Sequence, residues 1–415
     1  MYAIVGARLH TAGPKGTFTG TLIVNDDSGK IVDAVERASL PSDCRALEGQ
    51  GLEIAPGFVD AHSHAGFETQ GITVPDADER TSLFSPHLHA LDALNPLEGG
   101  LRKCFEGGVT TVCVLPGSPI RYGPMAERIG VISGVGAVVK TRFDGQAPTV
   151  LREHAALKMA LGQHPLRYAK EMRRPPATRM NLAALIREIF ERAKSEVPDD
   201  DKSSAGESRN AHLAAVLRRE YPVAFHVHRL QDIQMAMRLQ AEYGFDMVLH
   251  HATEAHLAAH ELAQASVPCV LGPIVMPRRG SELRNATLNA PGALIDAGVK
   301  IALMSDHPTF PGSHLPYHAG VLVREGVSHE SALRVITSQA AEILGVADKV
   351  GSLEPGKDAD FVLFGGDPLE IVSPILAVVT DGVAVYGCLP EDNGDRPEMR
   401  AALLARGSSQ GGEAL

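Results

Sequence analysis

The stretch IAPGFVDAHSHAG (residues 54–66) is an apolar run that closes on two histidines one residue apart. Side chains of a strand alternate between faces, so His62 and His64 leave one strand end in the same direction and can grip one ion. Far along the chain a second apolar run, KIALMSDHP (300–308), closes on Asp306. Between the two lie further runs of strand length separated by helical stretches: VTTVCVLPG (109–117), VGAVVKT (135–141), AALKMALG (155–162), VAFHVH (223–228), MVLHHA (247–252) and VPCVLGP (267–273). Eight runs are what a closed (β/α)8 barrel requires, and buried parallel strands read as continuously apolar. The expected fold class is α/β, a (β/α)8 TIM-like barrel over residues 56–343.

Outside the barrel the pattern changes. Residues 1–55 contain short β runs (YAIVGARLHT, FTGTLIVND, GKIVDAV) broken by Gly, Pro and paired Asp, and residues 344–388 return to short β runs with Gly and Pro turns. Both ends are expected to build one small β-sandwich domain. The tail, 389–415, is polar, with no periodicity that would bury it. Two long interruptions stand out. Residues 67–95 follow the first barrel strand, where rim loops belong, and are expected to cover the pocket. Residues 164–220 combine a basic helical stretch, an amphipathic helix (LAALIREIFERAK) and the polar run PDDDKSSAGESRN, expected to be mobile.

A formal net charge of −11 with a pI near 5.9 argues against nucleic-acid or anionic-membrane partners and leaves a small-molecule substrate. A homo-oligomer is compatible with the sequence and not readable from it. The opening MYAIVGARLH lacks a basic segment followed by an apolar one, and no apolar stretch is long enough to span a bilayer, so a cytoplasmic location is expected. Five scattered cysteines without C-x-x-C spacing fit reduced, buried thiols. No G-x-S-x-G elbow and no phosphate-binding G-x-x-x-x-G-K-[ST] loop occurs.

Active sites of such barrels sit at the C-terminal ends of the strands. The candidates there are His62 and His64, Lys158, His226 and His228, His250 or His251, and Asp306. Adjacent His250 and His251 must face opposite sides of a regular strand, so one of them enters the barrel. A lysine inside an apolar strand is costly as a cation. AALKMAL reads alternatively as a helix whose lysine reaches solvent, which leaves Lys140 as the buried amine. The pair His87 and His89 has no strand-like run before it, which argues against a ligand role.

The combination of GFVDAHSHAG, the histidines after VAF and MVLH, the Asp of MSDHP and the late GSLEPGKDADFVLFGGDPL resembles the metal-dependent amidohydrolase superfamily, in particular its imidazolonepropionase-related branch. The resemblance runs from the N-terminal β segment to about Cys388. It implies a barrel joined to a β-sandwich made from both chain ends, and one or two divalent metals that activate water. Matched residue by residue, His62, His64, His226, His251 and Asp306 would be metal ligands, with Lys158, carboxylated, as a bridge. The phrase HATEAH selects His251, although Ala252 stands where glycine is common. Zinc suits these ligands, and iron or manganese would be tolerated.

Such a site implies hydrolysis of a carbon–nitrogen amide bond in a cyclic amide or small peptide derivative. Asp306 would shuttle the proton, and His251 or His228 would stabilise the oxyanion. Hydrolytic deamination of a heterocycle is the alternative, and a non-catalytic barrel the more distant one. Loops 67–95, 117–136 and 278–289 would set the substrate. His228, Arg121, Arg229 and Arg278 are candidate substrate contacts, the arginines because a guanidinium offers a carboxylate two parallel donors.

Overall fold

The computed structural model describes residues 1–67, 76–79, 81–117, 130–141, 148–196, 210–276 and 281–390. The chain opens with five strands, β1 (Tyr2–His10), β2 (Thr17–Asn25), β3 (Lys30–Val35), β4 (Arg45–Glu48) and β5 (Glu53–Pro56). The first three form an antiparallel meander, and β4 and β5 lie parallel to β1. At Gly57 the chain leaves this sheet for the barrel. A Cβ there would lie 2.1 Å from Thr110 Oγ1, so a side chain would block the crossing.

The barrel strands are β6 (Phe58–Ser63), β7 (Val109–Val114), β8 (Ile132–Lys140), β9 (Val150–Ala160), β10 (Val223–Val227), β11 (Met247–His251), β12 (Cys269–Leu271) and β13 (Ile301–Leu303). They form one sheet in sequence order. Backbone bonds beyond β13 bring its end back to β6, Asp306 N–H donating to His62 O (3.1 Å) and His64 N–H to His307 O (3.0 Å). Strand residues divide between two buried clusters. Phe58, Val112, Leu157, Phe225 and Leu249 pack with helix residues such as Leu101, Ile186 and Leu239. Val59, Ala61, Cys113, Val138, Val248, Val270, Ala302 and Met304 face the enclosed side. Apolar residues on both faces explain why the runs read as continuously apolar rather than alternating.

One strand departs from the expected parallel arrangement. β8 is antiparallel to both β7 and β9. It therefore begins at the catalytic rim and ends at the base, where Lys140 lies. The upper part of β8 takes a further partner from the 83–89 segment, through Ser85 N–H to Ile132 O (2.8 Å) and Val135 N–H to Leu88 O (2.8 Å). Of 67–95, the stretch 83–89 thus runs beside β8, and none of the described residues lines the cavity described below; residues 68–75 and 80, on which the expected cover also rests, lie outside the described residues.

The last strands, β14 (Phe361–Phe364), β15 (Ile375–Thr380) and β16 (Val383–Gly387), return to the first sheet, with β14 antiparallel to β5. Both chain ends thus build one β domain around Ile4, Leu9, Leu22, Ile54, Phe361, Leu363 and Val379. Each such side chain, fully buried, contributes about 1.5–3 kcal/mol relative to exposure. Of the cysteines, Cys104, Cys113 and Cys269 are buried and unpaired, while Cys388 is exposed, contrary to the expectation of uniformly buried thiols. Residues 198–209 of the polar run and 391–415 of the tail lie outside the described residues. Among the described residues no helix is long and apolar enough to cross a membrane.

Candidate functional site

At the end of β6, His62 Nε2 stands 3.4 Å from His64 Nε2, 3.2 Å from Lys158 Nζ and 3.6 Å from Asp306 Oδ1. His64 Nε2 is 3.4 Å from the same carboxylate oxygen. The four side chains are buried. Their arrangement depends on interrupted strand alternation. Val59 and Ala61 face the enclosed side, and an irregularity between Asp60 and Ser63 turns His62 inward as well. The other nitrogen of His64 is fixed by Leu115 O at 2.7 Å. Beneath the group, the Asp60 carboxylate accepts from Ser305 N–H (3.0 Å), from the Ser305 hydroxyl and from His62 N–H (3.3 Å), tying the first and last strands together.

Lys158 lies on β9, not on a helix, and is fully buried. Burial lowers its pKa to about 8, against the opposing pull of Asp306. Lys140 is equally buried but at the base, where its ammonium meets Asp358 (2.8 Å), Asp360 (3.1 Å) and Asp381 (2.5 Å). The reversed direction of β8 therefore removes Lys140 from the metal candidates.

A second imidazole group adjoins the first. His226 and His228, two apart on the β10 line, face the cavity with His164, and one nitrogen from each lies within 4.8 Å of the others. The His251 ring is 4.2 Å from that of His226, centroid to centroid. Both ring nitrogens of His226 are buried and have no hydrogen-bond partner among the described residues. Burial, then the neighbouring His251 and His164, holds its pKa well below the ordinary imidazole value, and burial does the same for His62. Neutral imidazoles with bare nitrogens are what a cation needs and what an apolar interior penalises, so the donor set fits a divalent metal.

His250 and His251 both approach His62, the former through an Nδ1–Nδ1 separation of 3.0 Å. This corrects the expectation that one alone enters. His250 follows Val248 on the enclosed side, while His251, at φ +64°, leaves the extended conformation on which alternation depends. Its Nδ1 is held by Gly272 O at 3.0 Å, and His228 Nδ1 by Thr253 Oγ1 at 2.8 Å.

These groups open into one concave cavity that both imidazole groups and Asp306 line. Its far wall includes Arg167, Thr253, Ile274, Met276, Glu282 and Ala286. Arg229, at the start of the helix Leu230–Tyr243, does not line it. Arg121 and Arg278 lie outside the described residues. Sequence reasoning missed His164, Arg167 and Glu282. The helix Gln163–Glu171, which begins directly after β9, carries the first two onto the rim, and its closeness to Lys158 was the available signal. Glu282 is bonded to Arg179 at 3.0 Å, and burial raises its carboxyl to about 7.

Comparison with known proteins agrees with this geometry. Residues 54–389 match the amidohydrolase family. A crystal structure of an amidohydrolase from Thermotoga maritima MSB8 is 33% identical, with a TM-score of 0.84 over 94% of this chain and 100% of that one. The imidazolonepropionase of Symbiobacterium thermophilum is 26% identical over 380 residues, covering 83% of this chain and 81% of the relative. The amidohydrolase tasK of Hapsidospora irregularis is 28% identical over 388 residues, 86% of this chain, which spans only 39% of that protein's length.

Proposed function

We propose, from the premise that this chain belongs to the amidohydrolase family, that it cleaves an amide carbon–nitrogen bond in a small cyclic amide or peptide derivative. Members of the family are hydrolases of carbon–nitrogen bonds acting on small molecules, generally with a divalent metal, and the chain is assigned to that class with them. The observation that carries the finer reading is the convergence of His64, Lys158 and Asp306 within 3.6 Å of His62 Nε2, beside a buried His226 with two bare nitrogens.

His62, His64 and Asp306 would hold one ion. His226 and His251 would hold a second, with Lys158 between the two. Zinc suits this mixture of imidazole and carboxylate. A bound divalent cation would lower the pKa of water toward neutrality and polarise the scissile carbonyl. The Asp306 carboxylate, against His62 and His64, is placed to take the proton of the attacking water and return it to the leaving nitrogen. His228, oriented by Thr253, and His251, oriented by Gly272, are the groups available to the developing oxyanion. With a pKa near 8, Lys158 has an appreciable fraction of neutral amine at neutral pH, the form that adds carbon dioxide to give a carbamate and a released proton. Among the described residues lining the cavity, Arg167 offers a guanidinium for an anionic end of the substrate.

The test is a panel of cyclic amides, small peptide derivatives and amino-heterocycles, scoring carboxylate formed against ammonia released, with metal content measured with and without bicarbonate. Carboxylate formation by protein carrying two metals per chain is expected. Ammonia release from the heterocycles alone would move the assignment to hydrolytic deamination, and turnover untouched by exhaustive chelation would end the metal reading.

A further inference from the structure

His89, named in the sequence for its H-x-H spacing, has no part in the barrel mouth. It stands instead in a third imidazole group. His89 lies at the end of the segment paired with β8, His154 on β9 and His212 on the helix Ala211–Leu217, and one nitrogen from each lies within 4.8 Å of the others. His89 Nε2 and His212 Nε2 are 2.9 Å apart. His154 makes ring contacts with His89 and His212, both at 5.4 Å between centroids, and no hydrogen bond among the described residues. His212 Nδ1 is bonded to Tyr221 Oη at 2.5 Å, leaving its Nε2 toward the group.

The strand is shaped to present this group. Between Gly136↔Ala156 and Val138↔Arg152, β8 advances two residues while β9 advances four, so β9 carries a bulge at 153–155. Ala155 faces the enclosed side, and its neighbour His154 faces away from it, toward His89 and His212. All three histidines are partly buried, and desolvation, then His89 and His154, lowers the pKa of His212 to about 4, which keeps it neutral.

We propose that His89, His154 and His212 form a second transition-metal site on the outer wall of the barrel, sharing no residue with the barrel-mouth centre. An ion there fastens the helix Ala211–Leu217 and the 81–89 segment to the bulged strand. Three imidazoles with no carboxylate among them select zinc, copper or nickel over magnesium or calcium, which prefer oxygen. Tyr221 holds the His212 ring by its other nitrogen, the outer-shell support that metal-binding histidines ordinarily have.

The probe is Zn²⁺, titrated into the full-length, metal-loaded protein against a chromophoric chelator, with total zinc by elemental analysis. Wild type is expected to hold one equivalent more than His154→Asn or His212→Asn, with kcat unchanged in both. Tyr221→Phe keeps all three imidazoles and weakens that last equivalent by about 10–100-fold. Zinc is expected to slow amide exchange across 211–217 in wild type and not in His154→Asn, and Mg²⁺ to do neither. Equal zinc content and equal competition curves in wild type and His212→Asn would overturn the proposal. Should the histidine variants fail to fold, an unchanged zinc affinity in Tyr221→Phe would overturn it equally.

Discussion

Replacing each buried lysine by methionine perturbs the two ends of the barrel in opposite directions. In Lys140→Met the ammonium that binds Asp358, Asp360 and Asp381 is lost. Asp358 keeps Lys30 at 2.5 Å and Asp381 is about one-third exposed, so the stranded charge is chiefly that of Asp360, whose side chain is 2% exposed. Breaking a buried pair from one side costs about 3–5 kcal/mol, and a single stranded carboxylate places this variant near the lower end. Burial already raises the Asp360 carboxyl to about 6 against the pull of Lys140. Without Lys140 it rises further, so the folded variant takes up a proton as pH falls, and its deficit against wild type narrows toward pH 5. In Lys158→Met an amine held at about 8, from an ordinary 10.5, is replaced by an apolar chain. At about 1.4 kcal/mol per tenfold change in proton affinity, that depression represents roughly 3 kcal/mol of destabilisation. The sign follows from a folded pKa below the unfolded one. The penalty is full below pH 8, shrinks as pH rises and is gone above 10.5. Metal-free Lys158→Met is therefore expected to be more stable than metal-free wild type at pH 7, and to lose metal on loading. Urea unfolding of chelator-treated protein followed by circular dichroism, together with elemental analysis, measures both. Lys140→Met that loses metal with its stability intact would refute the reasoning and make Lys140 the bridging amine.

Asp306→Asn keeps the shape of the side chain but cannot accept the proton. Its kcat is expected to fall by about 10²–10⁴, the usual worth of a positioned acid–base group, in steady-state assays at saturating metal. Asp60→Ala removes the acceptor for Ser305 N–H, the Ser305 hydroxyl and His62 N–H. Each buried donor left without a partner costs about 1–3 kcal/mol, so the melting temperature should drop, with metal affinity falling as His62 and Asp306 lose their shared support. Unchanged chelator competition in that variant would show that the carboxylate supports the fold alone.

The barrel was legible because each strand packs helices on one side and the enclosed core on the other, and such strands announce themselves as apolar runs. His62, His64, His226 and Asp306 were legible because each closes such a run. Hidden from the sequence were features that break period-two regularity. The direction of β8 is set by its pairing with β7 and β9, which an apolar run does not encode. The inward turn of His251 depends on left-handed backbone at His251 and the adjacent Ala252, which strand periodicity does not encode. The imidazoles of His89, His154 and His212 meet through tertiary packing across residues 89 to 212, a range no local pattern spans.

The lysine at the base has a consequence for how the chain is made. Two of its carboxylates, Asp360 and Asp381, lie 220 and 241 positions downstream. A ribosome delivering this polypeptide from the amino end releases the amine long before its counter-charges, just as it releases β5 long before β14. The base of the barrel therefore lacks these counter-charges until the final strands emerge. Closure of the β domain is thus a late event, and chains shortened before Asp381 should accumulate with an open base and become targets for proteolysis.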